Sequence, residues 1–201
     1  REEREDFQKL PYDEESYCED LGVGSLRGEH GYTTLERTWA RPTLELNGVS
    51  GGYAGEGIKT VLPSKAHAKI SMRLVPHQSA EDIAGKLEAY LKQLAPPTVK
   101  IEVKAAAGGN PVLVPRDSIA VGAAKEAFKK AFGKETVFMR EGGSIPIVEL
   151  FDTVLKAPTA LLGLGLPTDN IHSPNENFAL KNYYGGIRTA AYFIDEIANN
   201  K

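Results

Sequence analysis

Residues 64–75 alternate without a break. Ala66, Ala68, Ile70, Met72 and Leu74 fall on one side, and His67, Lys69, Ser71, Arg73 and Val75 on the other. A period of two is the mark of a half-buried strand, because successive side chains of a strand point to opposite faces. Pro76 ends the run, and Ser79 is placed to cap a helix that carries Ile83, Leu87, Tyr90, Leu91 and Leu94 at helical spacing. Pro96-Pro97 stops that helix, and Val99, Ile101 and Val103 alternate in a further strand. Upstream, residues 35–49 read as strand, with Asn47-Gly48 supplying a turn. The order strand, strand, helix, strand, with alternating rather than continuous hydrophobicity, predicts an antiparallel sheet covered on one face by helices.

The remainder of the chain divides around this block. Residues 13–21 read as a short helix ended by Gly22, and Gly51-Gly52-Tyr53-Ala54-Gly55-Glu56-Gly57 is too glycine-rich for a regular element. Ala105-Ala106-Ala107-Gly108-Gly109-Asn110-Pro111 reads as a hinge. Beyond it, Asp117-Ser118 caps a helix that runs to Phe132 and stops at Gly133. Ile147, Val148, Leu150 and Phe151 mark a short helix, and Ala160-Leu161-Leu162-Gly163-Leu164 a buried strand. Residues 182–199 form a final helix with Tyr183, Ile187, Ala190, Ala191, Ile194 and Ile197 on its buried side. Strands alternating with helices predict an α/β arrangement here.

Composition narrows the function classes. The net charge is -3 with no basic cluster, which argues against a nucleic-acid partner. No apolar run approaches the roughly 20 residues that span a bilayer, so no membrane partner is expected. Cys18 is the single cysteine; it excludes an intrachain disulfide, fits a reducing compartment and reads otherwise as a small apolar filler. Arg1 opens a charged run with no signal-peptide pattern, so the chain is either processed or part of something longer.

Two motifs concentrate reactive groups at the ends of apolar elements. The first is Arg140-Glu141-Gly142-Gly143-Ser144-Ile145-Pro146, and the second is His172-Ser173-Pro174-Asn175-Glu176. Gly142 and Gly143 leave backbone N–H groups open to an anion, and Ser144 adds a hydroxyl, a cradle for a substrate carboxylate. Arg140 belongs to that cradle or pairs structurally with Glu141 or another acid. A neutral imidazole such as His172 is the commonest metal ligand. Glu176 either orients the histidine's surroundings or marks a helix start. Arg73, on the polar face of its strand, offers a carboxylate a fork that lysine cannot copy, or else a salt bridge across the sheet. A serine-hydrolase reading of Ser144 and His172 lacks a Gly-x-Ser-x-Gly elbow, and Asp169 stands too close to His172 in sequence for a triad.

Together the two motifs resemble the C-terminal half of the family-twenty zinc metallopeptidases, nearest the carnosine-dipeptidase branch, over most of the chain from about Leu35 onward. The family also holds carboxypeptidase G, aminoacylase, acetylornithine deacetylase and succinyl-diaminopimelate desuccinylase. The resemblance implies an α+β lid domain over residues 1–108, a four-stranded antiparallel sheet with two helices that forms a homodimer. It implies that residues 109–201 are the C-terminal α/β part of a catalytic domain whose N-terminal part precedes this chain. It assigns His172 to one of two bridged zinc ions, with manganese or cobalt as substitutes. It gives Arg73 the substrate's C-terminal carboxylate, seats substrate on Ser144 within the cradle of Gly143 and Arg140, and has Thr60 reach the neighbouring subunit's active site.

The other metal ligands and the general-base glutamate would lie upstream, so this chain alone is expected to be inactive. The parent would be a cytoplasmic enzyme hydrolysing dipeptides or related amides next to a free carboxylate. A deacylase of N-acyl amino acids shares every motif, and a non-catalytic dimerisation or carboxylate-binding module is the reading from another class. Ala107 departs from the branch, which carries histidine there to polarise the substrate; the departure bears on carnosine-type specificity.

Overall fold

The computed structural model describes residues 2–106, 108–141 and 145–199. Contacts divide the chain into two compact units, Arg1–Pro111 with Met139–Ile145, and Val112–Phe138 with Pro146–Lys201. Together they hold a mixed α/β chain with a single two-stranded sheet among the described residues.

The first unit opens with three short helices, α1 (Glu2–Gln8), α2 (Glu14–Leu21) and α3 (Thr34–Trp39). Asp13 caps α2 by accepting from Ser16 N, and Gly22 ends it with φ 67°, the left-handed cap the sequence predicts. Helix α3 replaces the first part of the strand expected over residues 35–49. The cause is a capping box: Thr33 Oγ1 accepts from Glu36 N, and the Glu36 carboxylate accepts from Thr33 N at 2.7 Å. Two end amides are thereby satisfied, which outweighs the β-leaning composition that follows. Phe7 of α1 is buried and meets Trp39 of α3 edge to face, ring centroids 5.2 Å apart.

Strand β1 (Thr43–Gly51) pairs antiparallel with β2 (Ala66–Arg73), from Thr43 opposite Arg73 to Gly51 opposite Ala66. Asn47-Gly48 is not a turn. The register steps from Leu46 opposite Ile70 to Gly48 opposite Lys69, so Asn47 is the extra residue of a bulge inside β1. The alternation of β2 holds: Ile70 and Met72 are half-buried while Lys69, Ser71 and Arg73 are exposed. Helix α4 (Ala80–Leu94) starts at Ser79, whose hydroxyl accepts from Asp82 N. Ile83, Leu87 and Leu91 are half-buried, but Tyr90 and Leu94 are exposed. The strand expected at Val99, Ile101 and Val103 has no ladder partner among the described residues, so the described sheet has two strands rather than four.

The second unit is built on α5 (Ile119–Phe132) and α7 (Leu180–Asn199), with α6 (Pro146–Leu150) running into a π-helical turn at Phe151–Leu155. Ser118 and Gly133 cap α5 where the sequence places them, Gly133 with φ 68°. The buried faces differ from expectation. Ala120, Ala123, Ala124 and Ala127 are the buried face of α5, and Gly185 and Thr189 that of α7. Tyr183, Ile187 and Ile194, expected inside, are exposed. Small residues let two backbones approach closely, so the alanine face of α5 selects the glycine–threonine face of α7 rather than its bulky one. Residues 160–164 run extended without a sheet partner; Leu161 and Leu162 are exposed, and Leu164 turns inward toward Gly186 of α7. A strand needs a neighbour to satisfy its backbone, and none of the described residues supplies one.

That close approach yields a prediction. A Cβ on Gly185 would overlap the ring of Phe132. Alanine normally favours a helix over glycine by about 1 kcal/mol. Here the clash reverses the sign: Gly185→Ala is expected to destabilise by about 1–3 kcal/mol, read as a lowered midpoint of thermal unfolding.

Candidate functional site

Arg73 is the last residue of β2, and its backbone N–H donates to Thr43 Oγ1 at 3.3 Å. Strand register therefore sets its position through the main chain, and the residue is exposed. It lines a cleft of about 350 Å3 in the first unit, together with Thr38, Trp39, Arg41, Thr43 and Glu141. Two guanidiniums, a carboxylate and two hydroxyls stand there beside an indole, Leu74 and Val75, a lining both polar and apolar that can meet a small ligand carrying charge.

Arg41 is held by Glu29 through two bonds of 2.7 Å, and its guanidinium stacks 4.3 Å from the centroid of Tyr32. The bond to Arg41 holds the Glu29 carboxyl below its usual range. The same bond raises Arg41. Arg4 approaches the Tyr32 ring at 5.2 Å and pairs with Glu36 at 2.5 Å. This network braces α1 and α3 beside the cleft wall formed by Trp39.

The other sequence candidates fall in separate places. Arg140 is bonded to Glu3, at 2.9 Å through Nε, so the structural pairing foreseen for it is present. Its neighbour Glu141, foreseen as a candidate partner of Arg140, lines the cleft with Arg73. Thr60 lies in the loop between β1 and β2, exposed, between Ile58, 95% exposed, and Leu62, 93% exposed. Gly143, Ser144 and Ala107 lie outside the described residues. Trp39, Arg41 and Thr43 were missed. Their signal was the spacing Trp39-x-Arg41-x-Thr43 running into the strand that pairs with Arg73.

His172 belongs to the second unit, in a loop between the 3-10 turn Pro167–Asp169 and α7. Its φ is 62°, in the left-handed region, and its side chain is exposed. Glu176 is exposed in the same loop and does not start a helix, since α7 begins at Leu180. Among the described residues no group of three or more His, Cys, Asp or Glu gathers to hold a metal. A first-row metal would accept the exposed imidazole, but its remaining ligands are not among these residues.

The peptidase family M20/M25/M40 model matches residues 12–196, nearly the whole chain. The chain belongs to that family. It is 34% identical over 164 residues to the Cys-Gly metallodipeptidase DUG1 of Saccharomyces cerevisiae, covering 80% of this chain and 34% of that one. It is 29% identical over 200 residues to the Beta-Ala-His dipeptidase of Homo sapiens, covering 98% of this chain and 39% of the relative. The solved M20 family metallo-carboxypeptidase Sso-CP2 from Sulfolobus solfataricus superposes with a TM-score of 0.83 at 30% identity, over 98% of this chain and 45% of that one. The chain thus spans between a third and a half of the length of these M20 relatives. Among the described residues no helix is long and apolar enough to cross a membrane.

Proposed function

We propose that this chain is the lid domain, residues 1–108, and the C-terminal part of the catalytic domain, residues 109–201, of a dinuclear zinc dipeptidase. The enzyme hydrolyses a peptide or related amide bond next to a free carboxylate. The observation that carries this reading is the cleft in which Arg73 and Glu141 stand together on a family M20 fold. Arg73 anchors the substrate carboxylate through a charge-assisted pair. Ser144, Gly143 and Arg140 belong to the same binding surface, with Glu3 as the acid a substrate carboxylate would replace on Arg140. His172 would be this chain's ligand to the metal. The chemistry a zinc ion would supply there is a lowered pKa for water and a polarised scissile carbonyl.

The sparse core supports a larger catalytic domain. The buried hydrophobic residues described are Phe7, Val148 and four alanines, while Leu161, Tyr183, Tyr184, Ile187 and Ile194 of the second unit stand exposed. Surfaces of that kind call for a covering layer. A two-stranded sheet with exposed Leu44, Leu46 and Val49 is likewise what the four-stranded dimerising lid would complete. In that homodimer Thr60, between Ile58 and Leu62, enters the partner's site. A cytoplasmic enzyme agrees with Cys18, the single cysteine of these 201 residues, which fits a reducing compartment.

Ala107 favours a second reading, a non-catalytic dimerisation or carboxylate-binding module. One experiment divides the readings. The full-length gene product is expected to hold two zinc ions per subunit, to run as a dimer in native mass spectrometry and to turn over dipeptides. Turnover of N-acetyl amino acids in preference to dipeptides would make it a deacylase. Absence of bound metal and of any turnover would leave only the binding module.

A further inference from the structure

The geometry points to Asp169 as the positioning residue for His172, an inference that rests on the metal-ligand reading above. Asp169 is 2% exposed, the one buried carboxylate described in the second unit. No cation pairs with it among the described residues, and burying such a group is costly unless it is hydrogen-bonded to some purpose. Its Oδ2 accepts from Leu166 N at 2.8 Å, and its own N–H donates to Leu166 O at 3.0 Å, so the turn is closed on its upstream side. Its carbonyl accepts from Asn177 N at 2.9 Å, which closes the loop of residues 170–176 on the downstream side. Asn177 Nδ2 then donates to Thr168 O at 3.3 Å and to Asn175 O at 3.2 Å. The Asp169 side chain thus fixes the turn of residues 166–169, from which the Asp169 main-chain carbonyl reaches Asn177, and the Asn177 side chain adds a second tie between the feet of the loop.

The loop so closed holds an improbable backbone. Asn170, His172 and Asn175 have φ of 52°, 62° and 62°. Asparagine tolerates this region, so the cost, on the order of 1–2 kcal/mol, falls chiefly on His172, and it persists only where the surroundings over-determine the loop. Residues 170–176 are all exposed, so packing does not supply the determination; hydrogen bonds do, Ser173 N to Asn170 O at 3.0 Å across His172 and those of Asp169 and Asn177 at the feet. Asn182 Nδ2, donating to Leu164 O at 2.9 Å, moors the approach to the loop on α7. The result is a rigid backbone that presents one imidazole to solvent without touching it. A ligand side chain whose carrier is fixed in advance loses less entropy on binding metal.

The test uses full-length enzyme and free zinc, with affinity read by competition against a chelating indicator and folding read by thermal unfolding of the metal-free protein. Asp169→Ala is expected to weaken zinc binding about 10–100-fold. It should lower kcat while leaving KM within about two-fold, because substrate contacts lie elsewhere. Asp169→Asn keeps an oxygen that accepts from Leu166 N and should recover most of the affinity. Asn177→Ala, which leaves Asp169 in place, should weaken zinc binding in the same direction and gives the answer if Asp169→Ala does not fold. Unchanged zinc affinity in folded Asp169→Ala or Asn177→Ala protein, with only a lower unfolding midpoint, would overturn the inference. So would an Asp169→Asn enzyme as impaired as the alanine variant. His172→Asn run alongside separates the two levels: if it binds zinc normally, the ligand reading has failed, whatever Asp169 does.

Discussion

Arg73→Ala in the full-length enzyme is expected to raise KM for a dipeptide by about 30–100-fold, with a smaller fall in kcat. A hydrogen bond to a charged group contributes about 1.5–3 kcal/mol, and each 1.4 kcal/mol is a factor of ten. The bond of Arg73 N to Thr43 Oγ1 belongs to the main chain and survives the substitution, and the unfolding midpoint of the variant separates a loss of binding from a loss of fold. The side chain itself is exposed, so its removal leaves no cavity. Arg73→Lys should recover little, since an ammonium cannot present two parallel donors to a carboxylate. Steady-state kinetics on one dipeptide suffice, and an unchanged KM removes Arg73 from the substrate site.

His172→Asn should cost more. If the imidazole is one of the ligands of a zinc pair, its loss should lower zinc content by about one equivalent per subunit. The fall in kcat/KM should be about 10³-fold or greater, the several kcal/mol that a metal contributes to charge stabilisation. Asparagine is preferable to alanine here because position 172 has φ of 62° and asparagine tolerates that conformation. An exposed side chain in a loop has little packing to lose, so the unfolding midpoint of the metal-free protein should stay where it was. Full zinc content in the variant would take His172 out of the metal site.

Helix ends were the most legible features. Gly22, Ser79, and Ser118 and Gly133 stand where side-chain caps and left-handed glycines were expected, because a cap depends on three or four neighbouring residues and little else; Asp13, read as the first residue of its helix, is its cap. The strand β2 was legible for the same reason, its period being written in its own residues. Helix α3 was legible in principle but overlooked: Thr33-x-x-Glu36 is a capping-box pattern, and β-leaning residues after it carried the reading instead. The bulge at Asn47 was not legible, since Asn-Gly signals a turn unless a partner strand holds the chain straight, and the partner lies twenty residues on.

Of the site, Arg73 and His172 could be picked out by residue type and neighbourhood, but Trp39, Arg41 and Glu141 could not be joined to Arg73 without the fold. Residues 38–43, 73–75 and 141 meet only because β1 pairs with β2 and residues 139–145 return to the first unit.

What the sequence by itself determined is therefore local: the caps, the alternation of β2, and the chemistry of individual side chains, each set by interactions among close neighbours. What only the tertiary structure decided is which faces are buried and which groups share a cleft. The exposed Tyr183, Ile187 and Ile194 show why. An apolar stripe states that a helix has a face to cover, but the choice of face belongs to its partner, and the alanines of α5 accept only Gly185 and Thr189 at close range.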